Sequence, residues 1–282
     1  MLRDNNIEIT FDWKENANID LIYCHDPRPN DQGIWYQHFL DHQNRFQTPI
    51  IQRVGDVGTH GKPELTELVK QATQYSNKVI FPSLWAKEYV GYADDNTYVI
   101  PNAPLDIFYK NRKSKFELSG PIKVVTHHWS TNERKGFSIY NKLAEYCKSN
   151  SDKVSFSYAG RYKAPLPIQG ISFHEPMDAI ALSRFLPRHD LYLTASEEEA
   201  GANHVLEAMA AGIPVLYSSS GGSIPEYCKM HGVMYDGYDD MINKINTIAN
   251  RYQDYSSMSI SYDYDISKML QLYKKVFLSS YA

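Results

Sequence analysis

The sequence predicts an α/β protein made of two Rossmann-like, doubly wound parallel-sheet domains that face a cleft. Three observations lead to this fold class. Short apolar runs alternate with helical patterns, which is typical of βαβ units. A stretch with proline and several basic residues, near 101–120, separates two such runs and favours an exposed linker. With 282 residues, the chain is long for one core and comfortable for two small ones.

These observations predict four segments. We expect an N-terminal domain over residues 1–104, a linker over 105–120 and a C-terminal domain over 121–262. The remaining segment, 263–282, contains a predicted helix that is able to pack back on the N-terminal domain. The second domain has the clearer pattern of strands and helices.

The first run predicts four strands separated by helices. The predicted strands are Ile19–Tyr23, Pro49–Val54, Lys78–Phe81 and Thr97–Ile100. A helical pattern follows the second strand, with apolar residues on one face: Leu65, Leu68, Val69 and Ala72. A short helix is predicted near residues 85–90. This order of elements indicates a small parallel sheet.

The second run predicts five strands and the helices that cross between them. The predicted strands are Ile122–Thr126, Val154–Ala159, Ile171–Phe173, Asp190–Thr194 and Ile213–Tyr217. The predicted helices are Gly136–Ser149, Met177–Leu186, Asn203–Ala211, Tyr238–Arg251 and Ile266–Leu278. Ligands of doubly wound sheets bind outside the carboxyl ends of the strands, so the loops that follow these strands are expected to carry the site.

Composition narrows the classes of function. The formal net charge is −4, which makes a nucleic acid an unfavourable partner. Apolar runs are too short for a transmembrane segment, and the N-terminal Met1–Asp4 precedes an Asn-rich stretch, so we expect no signal peptide. Three widely spaced cysteines favour a reducing compartment, so the cytoplasm is expected. The 22 tyrosines suit sugar-facing clefts and subunit interfaces, but ordinary half-buried surfaces are the preferred interpretation, and a homodimer is left open.

The strongest motif runs from Thr194 to Val215 and is predicted as strand, loop, helix, tight turn and strand. Glu199 lies in the loop and Glu207 in the helix, with seven residues between them. A helix N-terminus suits a phosphate, and the small residues Gly201 and Ala202, next to Asn203, allow a ligand to approach the backbone.

The two glutamates of this motif suit different parts of a nucleotide sugar. Glu207 can accept hydrogen bonds from the two hydroxyls of a ribose, and its apolar neighbours mean that it needs a partner. Glu199 can hold sugar hydroxyls or stabilise positive charge at an anomeric carbon. The alternative is an acidic solvated loop before a buried helix, which we prefer for Glu197 and Glu198.

This segment resembles the E-x7-E region of the retaining family 4 glycosyltransferases, which have the GT-B fold. The likeness continues through Gly212–Val215 and Gly221–Glu226 and, more faintly, into the first domain. It implies that Glu199 contacts the transferred sugar and Glu207 the ribose. The family often has a bulkier residue where this chain has Gly201, which leaves the identity of the sugar open.

The resemblance implies a soluble hexosyltransferase that works with retention and without a metal. Its donor would be a nucleotide-diphosphate sugar, and its acceptor an unknown glycan, glycoprotein or lipid. GDP-mannose is the leading donor because mannosyl transfer is frequent in the family, and UDP-sugars are its main competitors. Two alternatives remain: a nucleotide-sugar epimerase of the same fold, and a non-catalytic module that binds a sugar or nucleotide.

A leaving diphosphate needs cations, because negative charge builds up on it as the glycosidic bond breaks. Lys135 matches the family's lysine before Gly136, whereas Ser130 stands where the family has an arginine. Arg134 or Arg161 can supply the second charge. The alternative for Lys135 is a solvated helix start.

Glycines and histidines near the predicted strand ends complete the C-terminal candidates. Gly222 follows three serines and permits close approach of a ligand to the backbone. His127 and His128 are adjacent on a strand and must point to opposite faces, so they do not indicate a metal site. The sequence Asp263-Tyr264-Asp265 precedes a predicted helix, where Asp is favoured as a cap. We therefore predict neither a metal nor a cofactor.

The first domain carries a weaker signal. Gly55 and His60 lie in a loop that resembles the one in which the family has a functional histidine, but the matching position is Val54. His60 is the candidate to contact a sugar or an acceptor, and a surface histidine is the alternative. The glycines in this loop are spaced G-x-x-G-x-x-G, which is not the dinucleotide fingerprint. The acceptor-side domain is expected to be shortened.

Overall fold

The computed structural model describes residues 8–11, 13, 18–162 and 170–280. Met1–Asp4, on which the expected lack of a signal peptide depends, lie outside the described residues. The chain divides into two compact units. The first comprises Met1–Asn102 and Ser267–Ala282, and the second comprises Ala103–Ile266.

In the described part of the chain, the strands and helices alternate along most of the sequence. The strands are β1 (Ile22–Cys24), β2 (Ile50–Arg53), β3 (Lys78–Phe81), β4 (Thr97–Val99), β5 (Ile122–His128), β6 (Val154–Gly160), β7 (Ile171–His174), β8 (Leu191–Thr194), β9 (Val215–Ser218) and β10 (Gly232–Tyr235). The α-helices are α1 (Tyr36–Phe46), α2 (Pro63–Tyr75), α3 (Leu84–Val90), α4 (Asp106–Lys110), α5 (Phe137–Ser149), α6 (Ala179–Phe185), α7 (Asn203–Ala210), α8 (Ile224–Cys228), α9 (Gly237–Asn250), α10 (Tyr252–Ile260) and α11 (Ile266–Leu278).

The first unit is built on a parallel sheet in the order β1-β2-β3-β4. In its central strands, Ile50 and Ile51 of β2 and Val79–Phe81 of β3 are fully buried, as expected for a parallel sheet with both faces covered. Helix α3 begins where the Ser83 side chain accepts a hydrogen bond from the Ala86 N–H at 3.0 Å. The C-terminal helix α11 contributes Tyr273, Val276 and Phe277 to one core cluster with residues of β2 and β3.

The second unit is built on a six-stranded sheet in the order β10-β9-β8-β5-β6-β7, and all of its pairings are parallel. Two apolar clusters cover its faces, because alternate residues of each strand point in opposite directions. Val124 and Leu193 enter one cluster, and Val125 and Tyr192 enter the other. The predicted fold class, two parallel-sheet α/β domains, is confirmed.

Several elements differ from the sequence prediction. β3 and α11 have the predicted bounds. Among the described residues, helices α1, α4, α8 and α10 and strand β10 were not predicted. The expected linker, 105–120, lies within the second unit, and Phe108 in helix α4 is fully buried. Within the described residues, no helix combines the length and apolar character that a membrane span requires.

Candidate active site

The central strands β5 and β8 bring together the loops that carry the candidate residues. The two strands are neighbours in the sheet and run parallel, with Val124 opposite Leu191 and Val125 opposite Tyr192. Their carboxyl ends therefore lie at the same edge, where doubly wound sheets bind ligands. The loop after β8 leads into α7, and the loop after β5 leads through a short 3-10 turn, Glu133–Lys135, into α5.

A close approach of these two loops positions Lys135. The side chain of Asn132 accepts a hydrogen bond from the Arg134 N–H at 2.9 Å and starts the turn. The turn ends at Gly136 with φ 85°, and a Cβ there would lie 2.4 Å from the Cβ of Ala195 in the loop after β8. Only glycine fits this contact and this backbone conformation.

Lys135 and Glu199 form an ion pair between the two loops. Lys135 Nζ donates to Glu199 Oε1 at 2.5 Å, and the two side chains are only 13% and 12% exposed. Two strand ends are therefore joined by one largely buried contact of opposite charges. The neighbouring pair, Arg134 with Glu198, is formed by side chains that are 43% and 40% exposed.

The backbone of Glu199 is fixed by the loop that follows β9. Glu199 forms a parallel bridge with Gly222, in which its N–H donates to Gly221 O at 3.2 Å and its carbonyl accepts from the Ser223 N–H at 2.8 Å. Gly222 has φ 69°, and a Cβ on it would lie 2.5 Å from the Glu199 nitrogen. Three loops of the sheet thus meet at Glu199.

Glu207, one turn inside α7, has the partner that its surroundings require. His127 Nε2, at the end of β5, lies 2.8 Å from Glu207 Oε2. The Tyr192 hydroxyl lies 3.1 Å from His127 Nδ1 on the other side of the ring. The side chain of His127 is 13% exposed and that of Glu207 is 24% exposed. Sequence reasoning predicted the need for a partner but did not identify His127.

His128 points to the opposite face of β5, as strand geometry requires. Its Nε2 lies 2.7 Å from the hydroxyl of Tyr140, which also accepts the Ala195 N–H at 3.0 Å. Burial raises the pKa of Tyr140 to about 12, so its hydroxyl stays protonated at neutral pH. This network connects β5, α5 and the loop after β8. Among the residues that the structure describes, no group of three or more His, Cys, Asp or Glu side chains is arranged to hold a metal ion.

The other candidates of the second unit surround these contacts. Asn203, the first residue of α7, is exposed, Gly201 is partly buried, and the buried Ala202 donates its N–H to Ser223 Oγ at 3.3 Å. Ser130 is exposed in the loop after β5. Arg161 follows β6, and its guanidinium stacks 4.5 Å above the ring of Trp129, which is exposed.

The two candidates of the first unit lie in the loop between β2 and α2. A Cβ on Gly55 would lie 2.8 Å from Arg53 Nη1, so the arginine covers this glycine. His60 is partly buried a few residues later. Between them, Asp56 Oδ2 accepts a hydrogen bond from Lys62 Nζ at 2.8 Å. This loop therefore makes its main ionic contact within itself.

Solved structures with the same fold are numerous, although their sequences are distant. The HepE protein of Anabaena, solved in complex with UDP and glucose, is 16% identical with a TM-score of 0.70, over 92% of this chain and 78% of that one. A glycosyltransferase of Rickettsia africae is 12% identical with a TM-score of 0.68, over 99% and 86%. Sucrose-phosphate synthase of Thermosynechococcus elongatus is 16% identical with a TM-score of 0.62, over 94% and 75%. No match is found among curated protein sequences.

The two parallel-sheet units and these likenesses define the GT-B class of fold. Within it, residues 128–251 match the family model described as glycosyl transferases group 1. This segment contains Lys135, Glu199 and Glu207, so the candidate site lies almost wholly inside the matched region. The match lies within the second unit and covers less than half of the chain.

Proposed function

We propose that this protein transfers a hexose from a nucleotide-diphosphate sugar to an acceptor, with retention of anomeric configuration and without a metal ion. The observation that carries the proposal is the joining of β5 and β8 by two contacts, Lys135 with Glu199 and His127 with Glu207. A largely buried cation and two carboxylates at one sheet edge suit a ligand that combines phosphates, a ribose and a sugar.

Each charged group has a role in this proposal. The Lys135 ammonium neutralises charge on the departing diphosphate, and Arg134 or Arg161 adds a second positive charge in place of the arginine that Ser130 replaces. Glu199 contacts the transferred sugar, where it stabilises positive charge at the anomeric carbon. The acceptor hydroxyl attacks the face of the sugar from which the diphosphate departs. The departing diphosphate can therefore accept the proton of that hydroxyl.

Small residues and backbone groups complete the proposed donor site. Glu207 accepts hydrogen bonds from the ribose hydroxyls. Gly201, Ala202 and Asn203 bring the start of α7 close to the phosphates, where the helix dipole favours negative charge. Gly222 permits close approach next to Glu199. In the first unit, we propose Gly55 as a donor-binding residue and His60 as a residue that contacts a sugar or the acceptor.

The nucleotide of the donor is the finer part of the proposal. GDP-mannose is suggested by the frequency of mannosyl transfer in the resembling family, and a UDP-hexose is suggested by the ligands of HepE, whose structures include a complex with UDP-glucose. A nucleotide-sugar epimerase is the rival of the same fold, and it would convert a donor without an acceptor. All three cysteines are free and buried, in keeping with the reducing cytoplasm that we propose as the location.

Calorimetric titration with GDP-mannose, UDP-glucose, GDP, UDP and ADP tests the donor assignment. We expect one nucleotide series to bind, and Glu207→Ala to weaken that binding by roughly 10- to 100-fold, because a hydrogen bond to a charged group contributes about 1.5–3 kcal/mol. Glu145→Ala, which removes an exposed carboxylate on α5 of the same unit, is the control and should bind like the unaltered protein. If the unaltered protein binds no member of the panel, the donor assignment is wrong.

A further inference from the structure

We propose that His127 is a positioning residue that orients Glu207 and thereby sets the preference for ribose over deoxyribose. The inference rests on the proposed function of Glu207 as the ribose acceptor, and it adds a residue and a selectivity to it. His127 Nε2 lies 2.8 Å from one carboxylate oxygen of Glu207, Oε2. The second oxygen, Oε1, is then held in a defined direction.

The contacts of the ring specify one tautomer. An ionised carboxylate only accepts hydrogen bonds, so Nε2 carries the proton that it donates to Glu207. In the neutral ring, Nδ1 is then an acceptor, and the single proton of the Tyr192 hydroxyl is shared between Nδ1, 3.1 Å away, and the His127 carbonyl oxygen, 3.3 Å away. Burial raises the pKa of Tyr192 well above its ordinary value, so the hydroxyl keeps the proton that it donates.

Packing limits the movement of the imidazole. The ring of His127 meets the ring of Tyr192 edge-on at 5.4 Å and that of His204 at 6.3 Å. His204 lies on α7 three residues before Glu207, so the same helix supplies a wall and the carboxylate. The His204 ring is itself held, since its Nε2 lies 3.0 Å from Thr194 Oγ1 at the end of β8.

This arrangement has a consequence for the ligand. A glutamate side chain with free rotamers would lose conformational entropy when it binds the two ribose hydroxyls. Because His127 fixes Oε2, the Glu207 side chain has already lost part of this entropy before the ligand binds. A correctly oriented carboxylate then gains the most binding free energy from a ligand that has both hydroxyls. Loss of the histidine should therefore lower the affinity for ribonucleotides more than the affinity for 2′-deoxyribonucleotides.

Two substitutions at position 127 separate the two ring nitrogens. In His127→Gln the amide nitrogen can reach the place of Nε2 and donate to Glu207, whereas in His127→Asn the amide nitrogen can reach only the place of Nδ1. We expect His127→Asn to lower the affinity for UDP or GDP, whichever the protein binds, by roughly tenfold. His127→Gln should stay within about threefold of the unaltered protein.

The decisive measurement is the affinity ratio between UDP and 2′-deoxy-UDP, or between GDP and 2′-deoxy-GDP, in each variant. We expect a preference for ribose in the unaltered protein and in His127→Gln, and a ratio close to unity in His127→Asn. Tyr192→Phe, which removes only the hydroxyl that faces Nδ1, should lower the ratio by a smaller factor. It provides a second test if His127→Asn does not fold.

The outcomes separate the inference from the proposed function. If the unaltered protein binds neither nucleotide, the donor role of Glu207 fails and the inference fails with it. If the unaltered protein binds with a preference for ribose and both His127→Asn and Tyr192→Phe keep that preference, the inference is wrong while the proposed function stands. An equal loss of affinity for the ribonucleotide and for its 2′-deoxy form would show a purely structural role of His127 and would also overturn the inference.

Discussion

The loop after β2 in the first unit and the loop after β8 in the second unit both follow central strands, yet their charged residues are bound in different ways. In the first loop, Asp56 pairs with Lys62 of the same loop, and the two side chains are 37% and 45% exposed. In the second loop, Glu199 pairs with Lys135, which follows a different strand, and both side chains are nearly buried.

The difference indicates where each unit can hold charge away from water. An exposed ion pair is screened by solvent and contributes little to stability. Removing one partner of a shielded ion pair is costly, because the other charge is left buried and unpaired. The second loop is also fixed from a third direction by the bridge between Glu199 and Gly222. This concentration of contacts is why we place the donor chemistry in the second unit.

The largest expected effect comes from breaking the Lys135–Glu199 pair. Lys135→Met should lower turnover on the donor by roughly 100-fold or more, the range found when a group that stabilises developing charge is removed. It should also lower the free energy of unfolding by about 3 kcal/mol, because Glu199 is left as a nearly unpaired buried charge. Steady-state kinetics and urea unfolding measure the two effects.

The double variant Lys135→Met with Glu199→Gln separates stability from activity. With both charges gone, the stability should largely return while turnover stays low. The matched control is Lys62→Met in the first unit, which breaks the exposed pair and should cost at most about 1 kcal/mol. If the two lysine substitutions destabilise equally, the contrast between the loops does not hold.

A smaller effect on turnover is expected at Gly222, for which Gly237 is the control. Both have positive φ, 69° and 76°, so alanine is strained at both by about 1–2 kcal/mol. A Cβ at Gly237 has open space around it, whereas one at Gly222 would lie 2.5 Å from the backbone nitrogen of Glu199. Gly222→Ala should therefore cost about 2 kcal/mol more than Gly237→Ala, as overpacking against backbone does.

Turnover distinguishes these two alanine variants further. Because Gly222→Ala pushes on Glu199, we expect it to lower turnover on the donor several-fold, while Gly237→Ala should leave turnover unchanged. Urea unfolding and a donor-turnover assay give both values. Equal stability and equal turnover in the two variants would show that the bridge does not position Glu199.

The sequence predicts the local structure around the two glutamates of this site but not the contacts between residues that are far apart in the chain. The local residue pattern predicts Glu199 in a loop and Glu207 in a helix, because the signals that predict a helix come from residues close together in the chain. The partner His127 is 80 residues away from Glu207, and its contact depends on β5 lying next to β8. That order of strands is a property of the packed sheet, not of any local pattern.

The elements that were missed have a related cause. Helix α1 has mostly polar residues, and its position depends on the burial of Tyr36, whose hydroxyl donates to Ala72 O of α2 at 2.5 Å. Strand β10 lies at the edge of its sheet and leaves Met234 half exposed, so its apolar pattern is weak. In both cases tertiary contact outweighs local preference.

The smallest expected effect is the pH dependence that Asp56 contributes in the first unit. Partial burial acts to raise the pKa of Asp56, but hydrogen bonds from Lys62 and from the Gly58 N–H outweigh it and hold the pKa below its ordinary value. A carboxyl with a lowered pKa in the folded state stabilises the protein above the unfolded pKa of about 4, and this contribution is lost as the pH falls through the folded value. Since the pair is more than one third exposed, screening limits the contribution to at most about 1 kcal/mol.

Urea unfolding between pH 7 and pH 3 should show a slightly flatter profile for Asp56→Asn than for the unaltered protein, and 0.5 M salt, which screens exposed charges, should narrow the difference. A loss of several kcal/mol in Asp56→Asn at pH 7 would mean that the loop after β2 is held as firmly as the loop after β8, and that exposure of the side chains does not separate the two.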